Sequence, residues 1–530
     1  MPVHDASGGG WSSTLGMVLS GARAGVLSRW VTPELADAVT ARARAESDAA
    51  VLAAGEDPRR ERFRALPARL GVYFVLGLCL YSGLPYRAVL GKLCSGLGPA
   101  LAAAGWARPS STALTGLRRR LGERPFELLF WQLASPLSPR REAWSHICGL
   151  LAVAWDGTTV KAPASKENIA WFGKPGHKGK KNAPAGGPPA AGEAAYPQAR
   201  LVALVACGTR ALLGAAIGPL KTGERELAAG LAGQLRAGML LLADRGFYSY
   251  HLWKTAAGTG ADLLWRIQAG VHLPVVRPLP DGSWLSVVND PAAARRRRAV
   301  NGKRRRRGSK LPPLAGPLPG AITVRVIEFW ITITADDGTA RTERYRMITT
   351  VLDWRAAPAP ALAAGYAWRW AIETAYREFK TYLRGPGRVL RPATPDLARQ
   401  EIWAYLVIYQ AIRAVICLAA ASAGLDPARL SFTTAVRALR GTCASARTDP
   451  HGALAAAETA ILAEPVPARR GRVCARAVNE PHAPFPSRHN HKKPLSQHVT
   501  CTVTITTPAR TSHTTTEQPQ QAQPCQTTPP

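Results

Sequence analysis

Apolar residues recur at helical spacing through the first part of the chain, and near residue 147 the pattern changes. From about 30 to 145, Ala/Leu/Arg-rich segments separated by Gly and Pro read as helices. "LPARLGVYFVLGLCLYSGLPYRAVLGKL" predicts a buried helix, a turn at Ser82–Pro85 and a shorter helix. In "ARPSSTALTGLRRRLGERPFELLF", Ser110 or Ser111 supplies an N-cap, and the helix face carries Arg118, Arg119 and Arg120. A helix–turn–helix-like DNA-binding unit and a merely solvated basic face both fit that helix. "ICGLLAVAWDGTTV" is then a continuous apolar run ending in an acid, as in a buried strand delivering Asp156 to an edge. "ARLVALVACGTRALLGAAIGPL" reads as a strand hairpin turning near Gly208 and Thr209, and "GERELAAGLAGQL" as a helix. "GMLLLADRGFYSY" is a second buried strand, ending at Asp244. Short β-like patterns fill about 261 to 352, and helices resume from about Ala359 to Ala463.

Charge changes this picture most. Lys and Arg number 68 against 35 Asp and Glu, a formal net charge of +33. A preference for Arg and Ala explains the Arg/Lys ratio but not the deficit of acids, so a polyanionic partner is expected. Ten basic residues and no acid lie between Arg295 and Lys310, which reads as a concentrated basic loop. The nine cysteines are scattered singly, with no C-x-x-C pair, which argues against a disulfide framework or zinc site and fits a reducing cytoplasm. "MPVHDASGGG" lacks the basic-then-apolar order of a signal peptide. "LGVYFVLGLCLYSGLP" is too short to span a bilayer, so no membrane partner is expected.

Two acids, Asp156 and Asp244, follow buried strands, and a late helix offers a third. Hard divalent cations take oxygen ligands, and two of them can clamp the attacking and leaving oxygens of a phosphodiester. In "GYAWRWAIETAYREFKTYL", treated as one α-helix, Tyr366, Arg369, Glu373 and Lys380 fall within about 60° of one another. Glu378 falls about 140° from Glu373 and reads as a surface residue. A surface salt bridge between Arg369 and Glu373 is the plain alternative, but it leaves Tyr366 and Lys380 on the same line unexplained.

The spacing Tyr366-x2-Arg369-x3-Glu373-x6-Lys380 resembles the signature of the insertion sequence 4 family of bacterial DDE transposases. "WDGTTV" at Asp156 and "LLADRGFYS" at Asp244 resemble that family's two aspartate blocks. Similarity extends to "LPARLGVYFVLGLCLY", "PSSTALTGLRRRLG", "RYRMITTVLDW" and "TPDLARQEIWAYLVIYQAIRAVI", in family order over roughly 30 to 500. The resemblance implies an α/β fold: an RNase H-like core interrupted by a β-rich insertion, with a helical N-terminal DNA-binding domain and a helical C-terminal region. It implies that Asp156, Asp244 and Glu373 hold two Mg²⁺ or Mn²⁺ ions for in-line phosphoryl transfer. Arg369 and Lys380 would contact phosphates, Tyr366 would position the strand, and Arg245 would join Arg118, Arg119 and Arg120 in binding DNA. A flipped base would stack on an aromatic ring, with Trp265, Trp284 and Trp330 as candidates. The partners implied are double-stranded DNA, as terminal inverted repeats and target, and a second copy of the chain, acting in the cytoplasm at the nucleoid.

On this reading 1–29 is a flexible N-terminus, 30–145 the helical N-terminal DNA-binding domain and 146–260 the first part of the core. The insertion with its basic loop spans 261–352, and 353–465 completes the core and C-terminal region. The remainder, 466–530, is a disordered basic and then Thr/Pro/Gln-rich tail, whose end beyond about Thr506 does not resemble the family. His489 and His491 in "SRHNHKKP" lack further ligands at fixed spacing and read as phosphate contacts rather than a metal site. Two rivals use the same residues differently: an RNase H-like nuclease or resolvase without strand transfer, and a catalytically inactive DNA-binding relative.

Overall fold

A computed structural model describes residues 25–57, 66–103, 105–138, 142–176, 195–306, 318–335, 338–444, 450–467, 472–474 and 496–506. The described parts of 1–140, 154–234 and 370–466 form one compact unit, and those of 141–153, 235–369 and 467–530 form a second.

In the first unit, helices surround the 28-residue helix Pro395–Ser422. That helix is long and apolar enough to cross a bilayer, yet 94% of its apolar window is buried, so its apolar character serves the core. Helices Ala68–Leu80 and Arg124–Leu133 pack on it. Ala68–Leu80 is buried at every position from Leu70 onward, which explains its unbroken apolar run. Ser110, rather than Ser111, caps Ser111–Leu121 by accepting from Ala113 N at 3.1 Å. Against these helices stand the strand Leu150–Lys161, from Ala154 onward, and the hairpin Gln198–Ala206 with Leu212–Pro219. The hairpin turns through 207–211, as its sequence predicts, with Arg210 at φ 55°.

The second unit is built on strands. Met239–Ala243 pairs parallel with Asp262–Arg266, which pairs antiparallel with Ala340–Thr349, which in turn pairs with the long strand Ile322–Ala335. Trp284–Val288 joins one end of that long strand, and Ser496–Ile505 joins the other. The buried indoles of Trp253 and Trp265 meet edge to face at 5.1 Å beneath the parallel pair. Arg325, wholly buried, ties the long strand to the Asp281–Ser283 turn and donates to Ala357 O at 2.7 Å. The element order is a strand, a hairpin, a helix and two strands, then β-rich structure between Asp244 and Glu373, then helices. It matches the expected α/β core with its insertion.

Three expectations change. The segment Arg295–Arg306 is the exposed part of a helix, Pro291–Arg306, rather than a loop. Its only buried residue is Ala293, and straight-chain Arg and Lys are good helix formers. The expected disordered tail contributes the strand Ser496–Ile505, rich in β-branched Thr and Val, which favour strands. The strand holding Asp156 runs on to Lys161, so Asp156 lies mid-strand rather than at its end. His489, His491 and the residues beyond Thr506 lie outside the described residues.

Candidate active site

In the first unit, Asp156 is half-buried on its strand, and its Oδ1 accepts from Gly157 N at 2.8 Å. The buried hydroxyl of Tyr376 donates to Asp156 O at 2.6 Å and accepts from Ala203 N at 3.1 Å. Burial, together with the nearby Asp156 carboxylate, pushes that phenol well above its ordinary range, so it stays a donor. Glu373, also half-buried, sits three residues before Tyr376 in the helix Trp370–Arg377, on the same side. Four residues after Tyr376, Lys380 Nζ donates to Thr158 Oγ1 at 3.1 Å. Burial, with Arg384 and Lys161 nearby, pulls the Lys380 ammonium below the usual lysine range. Two contacts therefore lay the segment carrying Glu373 and Lys380 along the strand carrying Asp156.

In the second unit, Asp244 follows directly on Met239–Ala243 and is half-buried, and Arg245 beside it is exposed. Tyr366, 6% exposed, donates to Ala243 O at 3.2 Å, one residue before Asp244. Burial raises its hydroxyl far above the tyrosine range, Arg369 offsets part of this, and Asp244 adds to it. Tyr345 meets Tyr366 edge to face, and the Arg266 guanidinium stacks 3.9 Å over Tyr345. A Cβ at Gly365 would come 2.8 Å from Ile147, so only glycine lets the chain pass there into Tyr366.

The single α-helix assumed for residues 365–383 does not exist. Tyr366–Arg369 is 3₁₀, Trp370–Arg377 is α and Glu378–Leu383 is a π turn. A π turn inside a helix commonly marks a functional segment, and here it begins where Glu378 turns inward. Glu378 is 2% exposed and not a surface residue. It pairs with Arg210 at 2.6 Å and Arg413 at 3.8 Å, and the Tyr409 hydroxyl lies 3.0 Å away.

Arg118 also needs correction. It is 1% exposed and donates to Gln400 Oε1 at 3.0 Å, with Tyr86 and Glu401 as further partners, so it serves packing rather than DNA. Arg119 and Arg120 remain exposed. Trp265 and Trp284 are buried, whereas Trp330 is 41% exposed. Arg369 is buried at 8% exposure. Sequence reasoning missed Tyr376 and also Glu224, whose carboxylate lies where a Cβ on Gly157 would fall, 2.4 Å from its Cδ. The small residue following the first aspartate was the available signal.

Among the described residues no three His, Cys, Asp or Glu side chains form a metal-sized cluster. The donor chemistry of Asp156, Asp244 and Glu373, carboxylate oxygens alone, suits a hard divalent cation.

An acid on one strand, another just after a second strand and a helical Glu beyond a β-rich stretch stand in the order that the resemblance to DDE transposases implies. A family model for the transposase DDE domain matches residues 148–410, and one for the insertion element 4 transposase N-terminal region matches 22–131. The chain belongs to the insertion sequence 4 family of DDE transposases, enzymes that cut and rejoin DNA with divalent metal ions. It is 28% identical to the transposase InsG for insertion sequence element IS4 of Escherichia coli (strain K12), over 70% of this chain and 75% of that protein. A cryo-EM structure of a piggyBac transposase synaptic complex with hairpin DNA aligns over 79% of each chain, at 9% identity and a TM-score of 0.38.

Proposed function

We propose that the chain excises and inserts its own insertion sequence, with Asp156, Asp244 and Glu373 holding two Mg²⁺ or Mn²⁺ ions. The observation that carries this is the Tyr376–Asp156 bond with its Lys380–Thr158 companion, which holds the Glu373 helix against the Asp156 strand. When bound, the metal ions supply activation of the attacking oxygen and neutralisation of charge on the leaving one. The first attack joins a water oxygen to the scissile phosphorus and releases a 3′-hydroxyl. That hydroxyl then joins a target phosphorus and displaces a second 3′-oxygen. Tyr376 fixes the Asp156 backbone, and Tyr366 does the same beside Asp244. Lys380 places positive charge along the strand path, whereas Arg369 is buried near Tyr366 and acts from beneath it, and Arg245, Arg119 and Arg120 add phosphate contacts outside it. Trp330, the exposed indole of the three candidates, is the platform for an unstacked base. Two ends are synapsed by two copies of the chain on double-stranded DNA, in the cytoplasm at the nucleoid.

The test is metal-dependent nicking and joining of DNA carrying the element's end. Asp156→Asn, Asp244→Asn and Glu373→Gln should each abolish both steps while leaving end binding in place. Nicking without any joining by the unmodified protein would favour a nuclease instead.

A further inference from the structure

The turn Ser82–Pro85, in the first unit, borders a cavity of about 510 Å³ that the acidic residues do not reach. Lys92, Arg384, Arg388 and Arg440 line it together with Tyr81 and Tyr382, and no acid is among its lining residues. A smaller cavity of about 340 Å³ shares Ser82, Gly83, Leu84 and Arg388, and adds Arg391 and Glu401. Glu401 is buried and already paired with Arg118 at 3.5 Å.

Neutral carbonyls hold the arginines, and the Lys92 ammonium lies over the Tyr81 ring. Arg388 donates to Ser82 O, Arg391 to Ser82 O at 2.6 Å and Leu84 O at 3.0 Å, and Arg440 to Leu80 O at 2.8 Å. Arg384, 3% exposed, donates to Arg388 O at 3.0 Å and lies over the Phe379 and Tyr405 rings, and its Nε has no hydrogen-bond partner among the described residues. Carbonyls orient a guanidinium without neutralising it, so the concave wall concentrates positive potential. The volume lies in the range of pockets that take small ligands, far below what a duplex would need. Access is from solvent, past the exposed Arg388 and Tyr382.

We propose that this cavity is a phosphate-binding site, separate from the acidic residues, that takes a backbone phosphate of the DNA strand. Its position favours DNA over a free phosphate compound, because Arg384 lies four residues beyond Lys380, which touches Thr158 on the Asp156 strand. On this proposal a strand passing Lys380 reaches the exposed Arg388 at the cavity mouth, with the buried Arg384 behind it. The choice of DNA rests on the transposase reading, whereas the affinity for phosphate does not.

The experiment uses the full chain, a Lys92→Gln/Arg388→Gln variant and Lys92→Gln alone, each with its unliganded melting temperature measured first. Inorganic pyrophosphate at low ionic strength should raise the melting temperature of the unmodified protein, less so in Lys92→Gln and not in the double variant. An Arg295→Gln/Arg296→Gln/Arg298→Gln variant should keep the full rise, excluding the exposed basic helix as its source. On end-sequence duplex DNA, the double variant should flatten the slope of log affinity against log salt by about 0.9, the value for one lost phosphate contact. An undiminished pyrophosphate response in both cavity variants overturns the site. A lost pyrophosphate response with an unchanged DNA slope overturns the assignment to DNA. Failure of the transposase reading would show separately, as metal-dependent nicking that survives Glu373→Gln.

Discussion

Glu373 and Glu378 lie five residues apart in one segment, in opposite surroundings. Glu373 is half-buried beside the Asp156 strand, while Glu378 is enclosed with Arg210, Arg413 and Tyr409. Removing one partner of a buried ion pair typically costs about 3–5 kcal/mol, because the remaining charge is left uncompensated. Glu378→Gln should therefore lower the unfolding free energy by that order, as chemical denaturation of the purified variant would show. A loss below about 1 kcal/mol would mean that Arg210 and Arg413 do not depend on it. Tyr376→Phe keeps the ring but leaves Asp156 O and Ala203 N without their shared partner. It should cost about 1–3 kcal/mol and slow cleavage more than it weakens DNA binding, as single-turnover nicking at saturating DNA would show. Spacing set the two glutamates apart in direction but misread Glu378 as a surface residue, whereas it is 2% exposed. It could not reveal that Arg118 is buried while Arg119 and Arg120 are exposed, since that depends on Gln400 and Glu401, far along the chain.

At the scale of elements, the strand runs around Asp156 and before Asp244 were legible because continuous apolar stretches ending near an acid have few other readings. The helix after Gly365 was legible in outline only. Its helical wheel assumed 3.6 residues per turn, and the 3₁₀ turn before Trp370 and the π turn after Arg377 change that period. Low apolar content hid the strand Ser496–Ile505, which depends on a partner, Ile322–Ala335, more than 150 residues earlier. Truncation after Pro467 would bare that partner's edge at Phe329–Ala335, so the shortened protein should melt earlier and aggregate more readily. An unchanged melting curve and light scattering would show that the strand adds nothing to the sheet. The helix Pro291–Arg306 presents its basic residues to solvent. Neutralising Arg295–Arg298 and Lys303–Arg306 should weaken binding to all DNA sequences alike and flatten the salt dependence. A change confined to the end sequence would point to base readout instead.

For the whole molecule, a net charge of +33 implied a polyanion as partner, but it could not say what is done to that partner. The chemistry is proposed for three acids spread over more than two hundred residues, on the order of the blocks around them. The most direct measurement of the central claim is Mg²⁺-dependent nicking of end-sequence DNA by Glu373→Gln and Glu378→Gln, with binding and folding followed in parallel. Glu373→Gln should fold and bind as the unmodified protein does, yet cut at least about a hundredfold more slowly, since loss of one preorganised electrostatic group typically costs about 10²–10³ in rate. Glu378→Gln should lose stability and still cut at temperatures where it remains folded. A folded Glu378→Gln that cannot cut, beside a Glu373→Gln that cuts normally, would contradict the assignment of Glu373 to the metal site.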